Sequence, residues 1–312
     1  MKKQSHLIEQ LIKQRILILD GAMGTMLQIE VTAGSRTEGL AASESALLAI
    51  ERAEARLSTW RDDSELARAN AAPLGAAYEI SPALAKDLSA ALECSRETDG
   101  AFDPTVGALV EAWQLRSHPA RPNLATLSRA RAATGWSFVS LSGMSAVRSR
   151  AVRFEEGGFG KGAGLRDAIA VLASEAASGR DLRGAVLDLG GQVAIFGRAP
   201  SSRRFEIADP DHRDRPALAV AIDQGSLSTS GNGVHPGHLL DPRTGERAAD
   251  FGSLTVWADD PLRADCLSTG LFVLGPEKAL AWAEAHSDVE LAILERSAEA
   301  PAGLRVRTSR GW

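Results

Sequence analysis

Apolar positions along the chain recur with two different periods, and the alternation between them sketches the fold. Leu7, Ile8, Leu11 and Ile12 line one helical stripe within residues 5–14. Ile16–Leu19 then form a short apolar run, read as a buried strand that Asp20-Gly21 ends. Helical spacing returns at Ser43–Leu57, Pro82–Glu97, Val106–Gln114, Ala125–Ala133, Ala163–Ala173 and Pro276–His286. Pro82 directly after Ser81 has the order of a first-turn proline behind a capping hydroxyl. Alternating or wholly apolar runs predict strands at Phe138–Leu141, Ala151–Phe154, Ala185–Leu189 and Val193–Phe196. More follow at Phe205–Ala208, Ala217–Ile222, Leu291–Leu294 and Leu304–Val306. No internal repeat, low-complexity tract or linker interrupts these elements. The expectation is an α+β fold, one domain of mixed sheet flanked by helices, in one lobe or two.

The stretch that organises the rest runs from Thr255 to Gly275, TVWADDPLRADCLSTGLFVLG. Asp265 and Thr269 are four residues apart and share one face of a helix. A carboxylate and a hydroxyl so placed offer two hard oxygen ligands, which suits Mg²⁺ rather than zinc. Alone, the pair equally fits a cap and a solvated turn.

Composition narrows the function. With 312 residues the chain has ample material for a core, and its formal net charge of −5 carries no basic stripe, which excludes a nucleic-acid partner. Cys94 and Cys266 stand far apart and form neither a disulfide framework nor a metal spacing. No segment reaches the roughly 18 apolar residues of a membrane span. Lys2 and Lys3 open the chain, but Glu9, Gln10, Lys13, Gln14 and Arg15 break up any apolar signal core, so a cytoplasmic or otherwise non-exported protein is expected.

Several loops carry candidate chemistry, each with a plainer alternative. Ser58–Leu66 reads as a turn with a serine cap opening a short helix, or as a loop presenting Trp60 to stack a flat ligand. In Thr98–Gly107, Asp103-Pro104 is a turn signal, and its carboxylates could equally hold a ribose or a ring edge. Glu155–Gly162, EEGGFGKG, follows a strand and precedes a helix, so backbone N–H groups and Lys161 can face an anion. It satisfies neither the Walker A nor the G-x-G-x-x-G pattern. Asp188–Gln192 reads as a hairpin. Beyond Ser228–Asn232, His238 stands three residues before Asp241-Pro242, where it can move protons near neutral pH.

Taken in order, MGT, STWRDDSELARAN, TDGAFDPTVG, GGFGKG, DLGG, TSG, HLLDPRTG and ADCLSTGLFVLG resemble the ApbE family of FAD:protein FMN transferases, from about Met23 to the C-terminus. The resemblance implies binding of FAD and Mg²⁺, and transfer of FMN onto a Thr or Ser hydroxyl of an acceptor flavoprotein subunit with release of AMP. Carried over motif by motif, Met23 and Trp60 border the flavin, and Ala101, Phe102, Asp103, Glu155, Lys161 and Leu240 contact FAD. Asp265 and Thr269 match the metal-binding pair, with backbone carbonyls near Gly158 and Ser268 completing the shell. His238, assisted by Asp241, is the expected base for the incoming hydroxyl. Two alternatives share this site: an FAD pyrophosphatase giving FMN and AMP, and a non-catalytic FAD-binding protein. The chain departs from the family pattern with Glu155 for Asp, with Arg166-Asp167 in place of an Asp one residue earlier, and with Gly233-Val234 after TSG. Many relatives are exported and anchored at the inner membrane. Residues 1–22 are expected to be a leader and 23–312 the ApbE-like domain, because RILILDGAMGTMLQ is similar to the N-terminus of cobalamin-dependent methionine synthases. The zinc thiolates of that family have no counterpart in two isolated cysteines.

Overall fold

The computed structural model describes residues 15–197, 203–233, 236–300 and 303–312. The helix expected over residues 5–14 lies outside them. The strands are β1 (Arg15–Ala22), β2 (Thr25–Ala33), β3 (Ala77–Glu79), β4 (Val139–Ser142), β5 (Ser145–Arg148), β6 (Leu182–Leu189) and β7 (Gln192–Phe196). They continue with β8 (Arg203–Ala208), β9 (Pro216–Ile222), β10 (Gly225–Gly231), β11 (Gly252–Ala258), β12 (Val289–Arg296) and β13 (Leu304–Thr308). Eight of them form one sheet in the order β1-β2-β6-β7-β10-β11-β12-β13, with smaller sheets β3-β5-β4 and β8-β9. The α+β class holds. Every ladder among the described strands is antiparallel, so the sheet is more uniform than the mixed one expected.

The helices are α1 (Arg36–Leu57), α2 (Glu65–Ala71), α3 (Pro82–Glu97), α4 (Gly107–Ala112), α5 (Leu124–Ala132), α6 (Gly160–Ala177), α7 (Pro261–Leu274) and α8 (Pro276–Glu284). Their ends follow the local chemistry. Ser64, Ser81 and Asn123 cap α2, α3 and α5 by accepting the backbone N–H three residues on, and Pro82 and Pro261 occupy first turns.

Direct partners across an antiparallel ladder share a face. Leu27, Ile29 and Val31 therefore lie with Ala185, Leu187 and Leu189, and farther along Leu254, Val256 and Ala258 lie with Val289, Leu291 and Ile293. All are buried. The first group packs with α1 and α6 into one apolar cluster, and the second with α3, α7 and α8 into another. Between them runs β10, whose residues on that face are Ser226, Ser228 and Ser230. A polar seam thus divides an otherwise apolar sheet face, and α7 lies over it.

Two expectations are corrected. Residues 15–22 pair with β2, but at the sheet's edge; Leu17 and Leu19 are exposed, while Ile18 packs half-buried against the core and Ala22 is buried, so the apolar run is not the buried strand expected. Ala151–Phe154 makes a single bridge, Val106 to Arg153, because Val106 leads straight into α4; the ladder forms instead at Ser145–Arg148. No helix among the described residues is long and apolar enough to cross a membrane.

Candidate active site

Helix α7 is buried almost all round, as its sequence of Leu, Ala, Cys and Phe demands, yet it carries Asp265 with 3% of its surface exposed. A buried carboxylate needs partners. Its Oδ2 accepts the N–H of Gly162 at 3.0 Å, while Oδ1 lies 3.3 Å from Ser228 Oγ and 3.5 Å from Lys161 Nζ. Helix α6 has no side-chain cap of its own, so Asp265 serves its N-terminus from across the interface. That approach requires a glycine. A Cβ on Gly162 would stand 2.4 Å from the Pro261 carbonyl oxygen.

Hydroxyls extend the cluster along the seam. Ser228 Oγ lies 3.1 Å from Ser268 Oγ, and Ser230 Oγ lies 2.9 Å from Ser268 Oγ and 3.4 Å from Thr269 Oγ1. Gly158 adjoins the same spot, where a Cβ would lie 3.4 Å from Thr269 Oγ1 and 3.1 Å from the Phe102 ring. Asp265, Ser268, Thr269, Gly158 and Lys161, singled out from five separate sequence positions, therefore meet at one place. Ser228 and Ser230 were not assigned roles from the sequence. Their spacing of two in Ser228-Thr229-Ser230, which puts both on one strand face, is the available signal.

The donor set is all oxygen: one carboxylate and several hydroxyls, with backbone carbonyls nearby. Among the described residues no group of three His, Cys, Asp or Glu side chains gathers. Such an all-oxygen set suits Mg²⁺, which takes one or two carboxylates and completes its shell with water and substrate phosphates.

A second group flanks the first. Met23, in a left-handed conformation (φ 51°), donates its N–H to Glu54 at 3.1 Å, and its thioether lies beside Gly164 on α6. Glu155 is bridged by Arg116 at 2.5 Å, and Glu156 accepts the backbone N–H and the hydroxyl of Thr59. Burial, then repulsion from Glu156, pushes the Glu155 carboxyl up to about 7 against the pull of Arg116. The ring of Trp60 is largely exposed with the Arg116 guanidinium against it. A cavity of ≈ 720 Å³ opens beside this group, lined by Thr59, Asn70, Gly107, Arg116, Phe154 and Glu155.

The remaining candidates are more structural. Ala101 and Phe102 are buried, and Phe102 wedges between the glycine turn and Gly270 of α7. Asp103 spends its carboxylate on the Thr105 N–H (2.8 Å) and hydroxyl (2.6 Å) and on the Trp136 N–H (3.0 Å). It also borders a second cavity of ≈ 470 Å³ with Arg131 and Arg243. Leu240 packs with Leu109, Trp113 and Leu127. His238 is exposed on the loop before it, and the Asp241 carboxylate takes three bonds from Arg243 at 2.8–2.9 Å, a competitor for the expected pairing with His238. Arg166, noted as a departure, joins Arg56 around the buried Asp87, tying α6 to α1 and α3. Val234 lies outside the described residues.

With this geometry in place, the comparison with known proteins is decisive: the ApbE family model matches residues 23–293. The chain belongs to the ApbE family. Among curated relatives, this ApbE-family chain is 31% identical over 284 residues to the FAD:protein FMN transferase of Treponema pallidum (strain Nichols), covering 83% of this chain and 78% of that protein. It is 28% identical over 285 residues to the FAD:protein FMN transferase of Klebsiella pneumoniae (strain 342), covering 84% and 79%. Solved ApbE structures superpose closely. The Thermotoga maritima protein matches with TM-score 0.84 at 25% identity, covering 96% of this chain and 98% of that one. The apo flavinyl transferase of Pseudomonas stutzeri matches with TM-score 0.82 at 25% identity, covering 95% and 94%.

Proposed function

We propose that this ApbE-family chain is an FAD:protein FMN transferase that moves FMN from FAD to a Thr or Ser hydroxyl of an acceptor flavoprotein subunit. One observation carries the reading: a buried carboxylate, a lysine and a row of hydroxyls converge on the N-terminus of α6. A helix N-terminus with a lysine beside it receives a pyrophosphate. Asp265 and Thr269, with the carbonyls of Gly158 and Ser268, are the groups to hold Mg²⁺. When bound, the ion supplies neutralisation of charge on the pyrophosphate.

In this reading the FAD pyrophosphate lies at Lys161, with the flavin toward Met23, Trp60 and Glu155. Ala101, Phe102, Asp103 and Leu240 wall the other side. The acceptor oxygen attacks the FMN phosphorus, the bond from that phosphorus to the bridging oxygen breaks, and AMP leaves. The proton of the hydroxyl passes to His238, with Asp241 behind it. Such transfer depends mostly on positioning and on neutralising charge, and Lys161, at the N-terminus of α6 that Asp265 caps through the Gly162 N–H, supplies positive charge there.

The test uses purified protein, FAD and Mg²⁺, with and without an acceptor carrying a flavinylation threonine, and Asp265→Ala as control. The expected result is acceptor mass rising by one FMN in step with AMP, and only with Asp265 present. AMP and free FMN with an unmodified acceptor would replace the transferase by a pyrophosphatase. Bound FAD without AMP would leave a flavin-binding protein.

A further inference from the structure

Helix α4 ends in a turn whose left-handed position is filled by a glutamine. Gln114 has φ 53°, its N–H bonds the Glu111 carbonyl at 3.0 Å, and the Leu115 N–H reaches back to the Val110 carbonyl at 3.1 Å. These are the paired bonds of a Schellman motif, in a conformation that favours glycine. The turn delivers Arg116, two residues on, to a place that none of the motifs marks. Its guanidinium lies 4.7 Å from the centroid of the Trp60 ring. Nη1 donates to the Thr59 carbonyl at 3.0 Å, and Nη2 donates to the Thr59 hydroxyl and to Glu155 Oε2 at 2.5 Å.

One side chain thus fastens Thr59, Trp60 and Glu155 together. Trp60 is nevertheless 67% exposed. A cation on one face leaves the opposite face to solvent, with the plane of the ring already fixed. An indole so held is a platform for a flat ring, since the ordering has been done before a ligand arrives.

We propose that Arg116 is a positioning residue that makes this site select the flavin end of its ligand, by bracing Trp60 as the platform for the isoalloxazine and tying Glu155 to it. The inference rests on the FAD reading above. Arginine suits the task because its planar fork can lie on a ring and bond a carboxylate at once; a lysine ammonium can approach the ring as a point charge but lacks the plane and the spread donors to do both.

The two ends of FAD separate the effect. FMN, the ring end, and ADP, the adenine end, are titrated calorimetrically into the wild type, Arg116→Ala and Arg116→Lys, with flavin fluorescence followed in parallel. The wild type is expected to quench bound FMN through the stacked indole. Arg116→Ala should weaken FMN binding roughly 3–10-fold and relieve the quenching, while ADP affinity stays unchanged. Arg116→Lys should recover only part of the FMN affinity. Where alanine lowers the urea midpoint, the lysine variant decides, and it must still weaken FMN more than ADP. Equal weakening of FMN and ADP, or unchanged FMN affinity and quenching, overturns the assignment. A wild type that takes up neither FAD nor FMN overturns the transferase reading itself. A wild type that binds FAD beside an unchanged Arg116→Ala overturns the role of Arg116 alone.

Discussion

Alanine at Gly162 probes the site at its tightest point. A Cβ there would lie 2.4 Å from the Pro261 carbonyl oxygen, 2.6 Å from Leu262 Cα and 2.8 Å from Asp265 Cβ. Two of these atoms are backbone of α7, so no rotamer change relieves the overlap, and α6 and α7 must part by roughly an ångström. Overpacking of this kind costs about 1–3 kcal/mol. Weakening the Gly162 N–H bond to Asp265 costs about 1–2 kcal/mol more, since its acceptor is charged. Better helix propensity returns about 1 kcal/mol. The net expectation is a loss of about 2 kcal/mol. Gly164→Ala is the matched control. It gains the same propensity on the same helix and meets only the Met23 thioether at 3.3 Å and an Ile50 methyl at 3.5 Å. That change is expected to be neutral or to stabilise by up to about 1 kcal/mol. Urea unfolding of both variants, with AMP release from FAD measured in parallel, reads the difference. Displacing Asp265 by about an ångström should slow AMP release by roughly 10–100-fold in Gly162→Ala. Equal stability of the two variants, with normal AMP release, would refute the close α6–α7 contact.

Three further outcomes follow from particular contacts. Ser228→Ala removes a donor to Asp265 and a partner of Ser268; a loss of about 1 kcal/mol and a raised Mg²⁺ requirement for AMP release are expected, checked by urea midpoint and metal titration. Glu155 keeps its proton to about pH 7 when folded but releases it near 4.5 when unfolded, so the folded state binds more protons between those values. Its contribution to stability, about 2–4 kcal/mol, is therefore present below about 4.5 and lost as pH rises to about 7. Urea midpoints at pH 5 and pH 8 should converge in Glu155→Gln relative to the wild type. Asp87→Asn leaves Arg56 and Arg166, each about one-tenth exposed, without their shared anion, and a loss of about 3 kcal/mol by urea denaturation is expected.

The two periods in the sequence located most helices and strands because burial on one face is a local signal. Helix α7 was legible as a polar pair inside an apolar run, and the same four-residue spacing placed Asp265 beside Thr269. Ile16–Leu19 misled because an edge strand can be as apolar as a central one, and only pairing reveals the edge. The hydroxyls of Ser228 and Ser230 acquired partners only when β10 lay under α7, across about 40 residues of chain. Arg116 was invisible for a related reason. Its direction is set by the left-handed Gln114, a residue type that announces no such turn.

The serine row on β10 has a thermodynamic consequence. Along it the two apolar clusters are joined by hydroxyls and a carboxylate. Lys161 and Gly162 belong to a helix whose later turns pack into one cluster and whose Ala163 packs into the other, and Asp265, Ser268 and Thr269 belong to a helix rooted in that other cluster. Any ligand held jointly by those residues adds its binding free energy to the cohesion of the two halves, growing with the logarithm of its concentration. The substrate is in that sense a reversible rivet, and its departure returns the seam to the adhesion that its own hydroxyls and carboxylate provide.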